Sequence, residues 1–163
     1  MMPTEICEKK EIKVNEKSKI LWVDDTFANE LHELMAYQYQ LEKKGEFDLV
    51  KIYNVDEALK VLETGNENFA CIILDIMMPY GTRMTKADTE DCTRTGIILA
   101  RKIRLMDKYK DVPIVLLTGV LLSPETQAKC KKEDLPCFIK ADITPKDFLK
   151  EIQKIANPVG GKS

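Results

Sequence analysis

Four short apolar runs punctuate the chain, and each stops at a residue that carries chemistry. Ile20-Leu21-Trp22-Val23 precedes Asp24-Asp25, and Cys71-Ile72-Ile73-Leu74 precedes Asp75. Val112-Pro113-Ile114-Val115-Leu116-Leu117 precedes Thr118, and Cys137-Phe138-Ile139 precedes Lys140. Unbroken apolar runs of this length, bounded by polar residues, are the habit of strands buried on both faces of a parallel sheet. A less regular run, Phe47, Leu49, Val50, Ile52 and Tyr53, supplies a further strand.

Helical periodicity fills the gaps. Residues 28–43 carry Leu31, Leu34, Met35 and Leu41, a stripe that lapses at Gln38 and closes at Gly45. Asn54, with Glu57 three residues on, marks a capped start for a helix carrying Ala58, Val61 and Leu62 that stops near Gly65. From Gly96 a third helix shows Leu99, Ala100, Ile103 and Met106. Ser123-Pro124-Glu125 combines a cap, a first-turn proline and an acid near the helix start. Thr144-Pro145-Lys146-Asp147 opens the last helix, with the stripe Phe148, Ile152, Ile155 and Ala156. With strands expected at 20–23, 47–53, 69–74, 112–117 and 137–140, the alternation predicts a doubly wound α/β domain with a five-stranded parallel sheet. The carboxyl ends of such strands line the ligand crevice. Three aspartates, a threonine and a lysine gathered there make a site for a divalent cation and a phosphoryl group.

Composition narrows the picture. A chain of 163 residues, 44% of them apolar, supports one domain with a substantial core. Twenty-five basic against 27 acidic residues, intermixed, give a net charge of −2 and no general attraction to nucleic acid. No apolar stretch approaches the ~20 residues of a membrane span, and the charged start lacks a signal-peptide core. The five cysteines, at 7, 71, 92, 130 and 137, show no C-x-x-C spacing, so free thiols in a reducing cytoplasm are expected. Residues 1–18 read as a mobile lead-in, 19–156 as the domain and 157–163 as a frayed tail.

Four pieces together carry a resemblance: Leu21-Trp22-Val23-Asp24-Asp25, Ile73-Leu74-Asp75-Ile76-Met77-Met78-Pro79, Val112-Pro113-Ile114-Val115-Leu116-Leu117-Thr118-Gly119 and Phe138-Ile139-Lys140. In this order, each at a strand end, they resemble the receiver domains of two-component response regulators, over residues 19–156. The resemblance implies a flavodoxin-like (βα)5 fold with strand order 2-1-3-4-5. It implies that Asp75 accepts a phosphoryl group from a phosphohistidine or a small acyl phosphate, as a carboxylate nucleophile. It also implies Mg2+, with Mn2+ as a substitute, held directly by Asp25, Asp75 and the Met77 backbone carbonyl and through water by Asp24. Lys140 would neutralise the acceptor and then the phosphoryl oxygens, Thr118 would donate its hydroxyl to one of them, and Gly119 would leave room for entry. Implied partners are a histidine kinase or histidine phosphotransfer protein, an unknown downstream protein, and a second copy in a homodimer through the fourth helix, fifth strand and fifth helix. Neither nucleic acid nor membrane is among them. With no further motif after residue 156, a stand-alone signalling switch is expected, whose only catalysis is its own phosphorylation and dephosphorylation. The sole histidine, His32, is expected exposed on the first helix rather than in a phosphoryl relay.

The chain departs from the family in four places. Ala141 stands where a proline, often cis, usually follows the lysine. Cys137 stands where an aromatic switch residue usually lies, with Phe138 expected on the opposite side of the strand. Residues 80–95 form an insertion, polar and threonine-rich, expected at the rim of the site either as a lid or docking loop or as a mobile excursion. Met77 and Val120 are apolar at positions that influence water access, so slow spontaneous dephosphorylation is expected. Two other readings compete: an interaction module that keeps the fold without taking phosphate, for which Cys137 and Ala141 speak, and a haloacid-dehalogenase-type phosphatase. The latter needs an Asp-x-Asp motif, whereas Asp24 and Asp25 are adjacent.

Overall fold

The computed structural model describes residues 16–157, so most of the expected lead-in and tail lie outside the described residues. Five parallel strands form one sheet in the order β2-β1-β3-β4-β5. They are β1 (Lys19–Val23), β2 (Asp48–Ile52), β3 (Cys71–Leu74), β4 (Ile114–Thr118) and β5 (Cys137–Ile139). The doubly wound fold and the strand order implied by the resemblance are both present.

Every residue of β3 and β4 is buried, as is β1 from Ile20 onward. Period-2 alternation divides them between two cores. Leu21, Val23, Ile72, Leu74, Ile114 and Leu116 face one way, under α2 (Val55–Thr64), α3 (Thr95–Arg104) and α4 (Pro124–Lys132). Ile20, Trp22, Cys71, Ile73, Val115 and Leu117 face the other, under α1 (Met35–Tyr39) and α5 (Pro145–Ala156). Burying a Val, Leu or Ile side chain of this kind contributes roughly 1.5–3 kcal/mol. Both edge strands are short, and β5 is half-buried along its length. Cys137 packs on the first core and Phe138 on the second, the opposition expected from the pleat.

The capping signals hold. Asn54 accepts a hydrogen bond from the Glu57 amide at 2.8 Å, Ser123 from Thr126 and Thr144 from Asp147. Gly65 ends α2 in the left-handed conformation at φ 64°, which glycine adopts without a Cβ clash. The strand ends shift modestly from expectation. Tyr53 is half-exposed beyond β2, Phe69 and Ala70 precede β3, and β4 starts at Ile114 because Pro113 offers no amide to the ladder.

The first helix departs most. In place of a continuous helix over 28–43 there is a 3-10 turn at Asp25–Ala28, an irregular stretch, then α1 running into a π-helical turn at Gln40–Lys44. The core-facing residues are Leu34, Tyr37 and Leu41, whereas Leu31 and Met35 face solvent. Tyr37 fills the turn left empty by Gln38. His32 lies in the irregular stretch rather than on a helix, half-buried with its ring edge-on to Phe27 at 5.3 Å.

The insertion at 80–95 is folded rather than a loose excursion. Met84 is 5% exposed and joins the core, while Thr89 is fully buried with its hydroxyl donating to the Thr85 carbonyl. The Asp56 carboxylate on α2 accepts from the Thr82 amide at 3.1 Å and from its hydroxyl at 3.0 Å, and Arg83 pairs with Glu63. Glu90, Asp91 and Cys92 are all left-handed (φ 48°, 56° and 70°), a sharp reversal that leads into α3.

Candidate functional site

The sheet ladder delivers the site residues to one edge. Asp24 donates its amide to the Ile52 carbonyl and Asp75 to the Val23 carbonyl, both at 3.0 Å, and the Lys140 amide bonds the Thr118 carbonyl at 2.8 Å. These bonds extend the β1–β2, β1–β3 and β4–β5 pairings by one residue, so the polar groups converge where the apolar runs end. Asp24, Asp25 and Asp75 each offer a carboxylate oxygen within 4.8 Å of the others. Asp24 and Thr118 are fully buried, and Asp75 is 7% exposed.

Lys140 reaches into this cluster. Its Nζ stands 3.2 Å from Asp24 Oδ2, 3.8 Å from Asp75 Oδ2 and 3.1 Å from Glu33 Oε1. It is therefore no solvated surface lysine. Asp24 has a second task, since its Oδ1 accepts from the Thr26 amide at 2.9 Å and caps the 3-10 turn. Both of its oxygens are thus engaged. Asp75 differs: its Oδ1 is buried and, among the described residues, has no hydrogen-bond partner. An unpaired buried carboxylate oxygen is costly unless a ligand completes it.

The electrostatics follow. Burial and then the charge of Asp24 push the Asp75 carboxyl up to about 6 from 3.8, against the pull of the Lys140 ammonium. Asp25 is raised by the same two causes. For Lys140 burial works against the ammonium, but Asp24, Asp75 and Glu33 outweigh it and its pKa is raised. Three carboxylates facing one ammonium leave excess negative charge at a strand-end crevice. An oxygen-rich site of this kind suits Mg2+, which binds one or two carboxylates and retains several waters. The unpaired Asp75 oxygen fits such an ion. The Met77 carbonyl also fits, because among the described residues it accepts no hydrogen bond, whereas Ile76 and Met78 on either side do.

Three features of the site escape a strand-end reading. Glu33 is brought in from the irregular stretch. Tyr37 donates its hydroxyl toward the carbonyls of Lys140 (2.8 Å) and Ile143 (2.7 Å). Gly96 lets α3 press on the end of β3: a Cβ there would lie 1.9 Å from the Asp75 carbonyl oxygen, and the Gly96 amide bonds Ile76 O at 2.9 Å. Beside it, the Thr95 hydroxyl donates to the Met78 carbonyl at 2.5 Å. Only Gly96 left a sequence signal, and that as a helix start. Gly119 has the reverse lesson, because a Cβ added there meets nothing within 4 Å, so the open space does not depend on its being glycine. The Lys140–Ala141 bond is trans, as are all described peptide bonds.

Compared with protein-family models and with curated proteins, the chain matches none. Solved structures match it over most of its length. A chemotaxis response regulator from Vibrio cholerae is 25% identical, covering 86% of this chain and 99% of its own, with a TM-score of 0.62. A signal receiver domain of a two-component histidine kinase from Clostridium thermocellum is 15% identical, covering 87% and 99%, with a TM-score of 0.65. The receiver domain of a sensor histidine kinase from Pseudomonas aeruginosa, which has a magnesium ion coordinated in its active-site cleft, is 14% identical, covering 86% and 98%, with a TM-score of 0.59. The fold is that of response-regulator receiver domains, as the four strand-end pieces implied.

Proposed function

We propose that the protein is a receiver that takes a phosphoryl group on Asp75 in a Mg2+-dependent reaction and signals the change to a protein partner. The observation that carries this reading is the Asp75 carboxylate, buried at the crevice, with one oxygen unpaired and the other 3.8 Å from Lys140. Asp25, Asp75 and the Met77 carbonyl would hold the ion directly. Asp24, whose two oxygens are already engaged by Thr26 and Lys140, suits a role through water. Bound there, Mg2+ would neutralise the clustered carboxylates and polarise the phosphoryl oxygens.

In the reaction an oxygen of ionised Asp75 attacks the phosphorus of a phosphohistidine. A P–O bond forms, the P–N bond breaks and its electron pair stays on the imidazole nitrogen, which leaves neutral after taking up a proton. Burial keeps water from competing for the phosphorus. Lys140 follows the charge from the carboxylate to the phosphoryl oxygens as a point charge. Thr118, buried at the neighbouring strand end, donates its hydroxyl to one of those oxygens.

The partners on this reading are a histidine kinase or phosphotransfer protein upstream and an unidentified protein, or a second copy of the chain, at the α4–β5–α5 face. Among the described residues no helix is long and apolar enough to cross a membrane. Cys137 leaves the α4–β5 junction without a large side chain. It lines a cavity of about 470 Å3 with Leu122, Cys130 and Leu135, at the position where the family usually carries its aromatic switch residue. The interaction-only reading draws no support from Ala141, because the trans bond still carries the ammonium into the acid cluster. Incubation with phosphoramidate, read by intact mass, tests the proposal. One phosphoryl group added with Mg2+, and none with chelator or in Asp75→Ala, is the expected result. Equal addition to Asp75→Ala would overturn it.

A further inference from the structure

The segment from Glu33 to Tyr37 grips Lys140 twice. From α1, the Tyr37 hydroxyl lies 2.8 Å from the Lys140 carbonyl and 2.7 Å from the Ile143 carbonyl. One hydroxyl proton thus serves two acceptors, which draws together both ends of the turn from which the lysine springs. That turn has few other ties: the Lys140 amide bonds Thr118 and the Asp142 amide bonds Ile139. Tyr37 itself is well held, 7% exposed with its ring edge-on to Phe148 at 5.7 Å. At the other end of the side chain, Glu33 Oε1 at 3.1 Å and Asp24 Oδ2 at 3.2 Å share the ammonium, while Asp75 Oδ2 stands 3.8 Å away, outside hydrogen-bond range. Glu33 is 65% exposed and otherwise free to move.

We propose that this segment positions Lys140 for the reaction: Tyr37 fixes the turn that carries the lysine, and Glu33, beside Asp24, helps hold its ammonium back from Asp75 until a phosphoryl group draws it across. The proposal rests on Asp75 as the phosphoryl acceptor. Tyr37 and Glu33 are positioning residues, since neither lies on the path of the phosphoryl group, and they act on Lys140 in opposite senses. Losing the Tyr37 hydroxyl frees the turn and weakens the hold of Lys140 on the transferring group. Losing the Glu33 charge removes a competitor for the ammonium.

Two readouts decide the matter. The first is acetylation of Lys140 by an N-hydroxysuccinimide ester, measured by peptide mass against the exposed Lys146. The second is the rate of phosphoryl uptake from phosphoramidate at saturating Mg2+, with Mg2+ affinity followed separately. Tyr37→Phe keeps the ring and its packing. It should raise Lys140 labelling several-fold and slow uptake several-fold, with Mg2+ affinity unchanged. Glu33→Gln should quicken uptake several-fold, and Glu30→Gln, the same charge change nearby, should not. Unchanged labelling in Tyr37→Phe, or loss of Mg2+ affinity in step with rate, would overturn the proposal. So would equal effects of Glu33→Gln and Glu30→Gln. If the wild-type protein takes up no phosphoryl group, the receiver reading fails, and unchanged Lys140 labelling in Tyr37→Phe would then separately refute the clamp.

Discussion

Asp75→Asn should make the metal-free protein more stable at neutral pH, although it removes the residue on which the proposed function depends. In the fold the Asp75 carboxyl is pushed up to about 6 from 3.8, by burial first and by Asp24 second. A folded-state pKa above the unfolded value means that stability is fully present below pH 3.8 and is lost as pH rises through about 6. At ~1.4 kcal/mol per pH unit, moving from 3.8 to about 6 gives a ceiling of roughly 3 kcal/mol. The pull of Lys140 is already part of that shift, and an asparagine only approximates the neutral acid, so a net gain of about 1–3 kcal/mol is expected. For a domain of this size that corresponds to roughly 2–12 °C in Tm. The assay is urea unfolding in chelator at pH 4 and pH 7.5, followed by Trp22, the sole tryptophan and fully buried. The variant should be the more stable at pH 7.5 and close to wild type at pH 4. Mg2+ at a hundred times its Kd should add about 2.7 kcal/mol to the wild type and far less to the variant. A variant no more stable than wild type at pH 7.5, or one displaced equally at both pH values, would refute the reasoning.

Gly96→Ala sets a Cβ against the backbone of Asp75, and it should cost roughly 3 kcal/mol or more and abolish Mg2+ binding, read by thermal unfolding and Trp22 fluorescence. Lys140→Met leaves buried carboxylates without their cation; it should destabilise the metal-free protein by roughly 3 kcal/mol at neutral pH and abolish phosphoryl uptake, both absent if the lysine is incidental. Asp56→Ala removes the anchor of Thr82, so amides of 82–94 should exchange faster with little change in global stability. Met77→Asn combined with Val120→Glu offers an amide and an acid to orient water, and should shorten the lifetime of the phosphorylated protein; an unchanged lifetime would refute the role of these positions.

The strand ends were legible because buried parallel strands announce themselves twice, as unbroken apolar runs and as the polar residue that stops each run. Asp24, Asp75, Thr118 and Lys140 were found that way, and capping chemistry marked the starts of α2, α4 and α5. The first helix was misread because its core face uses Tyr37, whose ring is apolar but whose hydroxyl serves a turn 103 residues away. Leu31 and Met35, counted as core, are 84% and 49% exposed. Glu33 meets Lys140 across 107 residues and carries no local mark. The fold of residues 80–95 was hidden for a related reason. Met84 and Thr89 are single core contacts in a polar stretch, and Asp56, the anchor of Thr82, reads in sequence only as an acid in a helix's first turn.

The most direct test of the central claim locates the phosphoryl group itself. Protein incubated with Mg2+ and phosphoramidate is reduced with borohydride, which converts an aspartyl phosphate to homoserine, and its peptides are mapped by mass. Homoserine at position 75 alone, absent when Mg2+ is withheld, is the predicted result. Homoserine at Asp24, Asp25 or another carboxylate, or at none while intact mass shows phosphoryl uptake, would contradict the account.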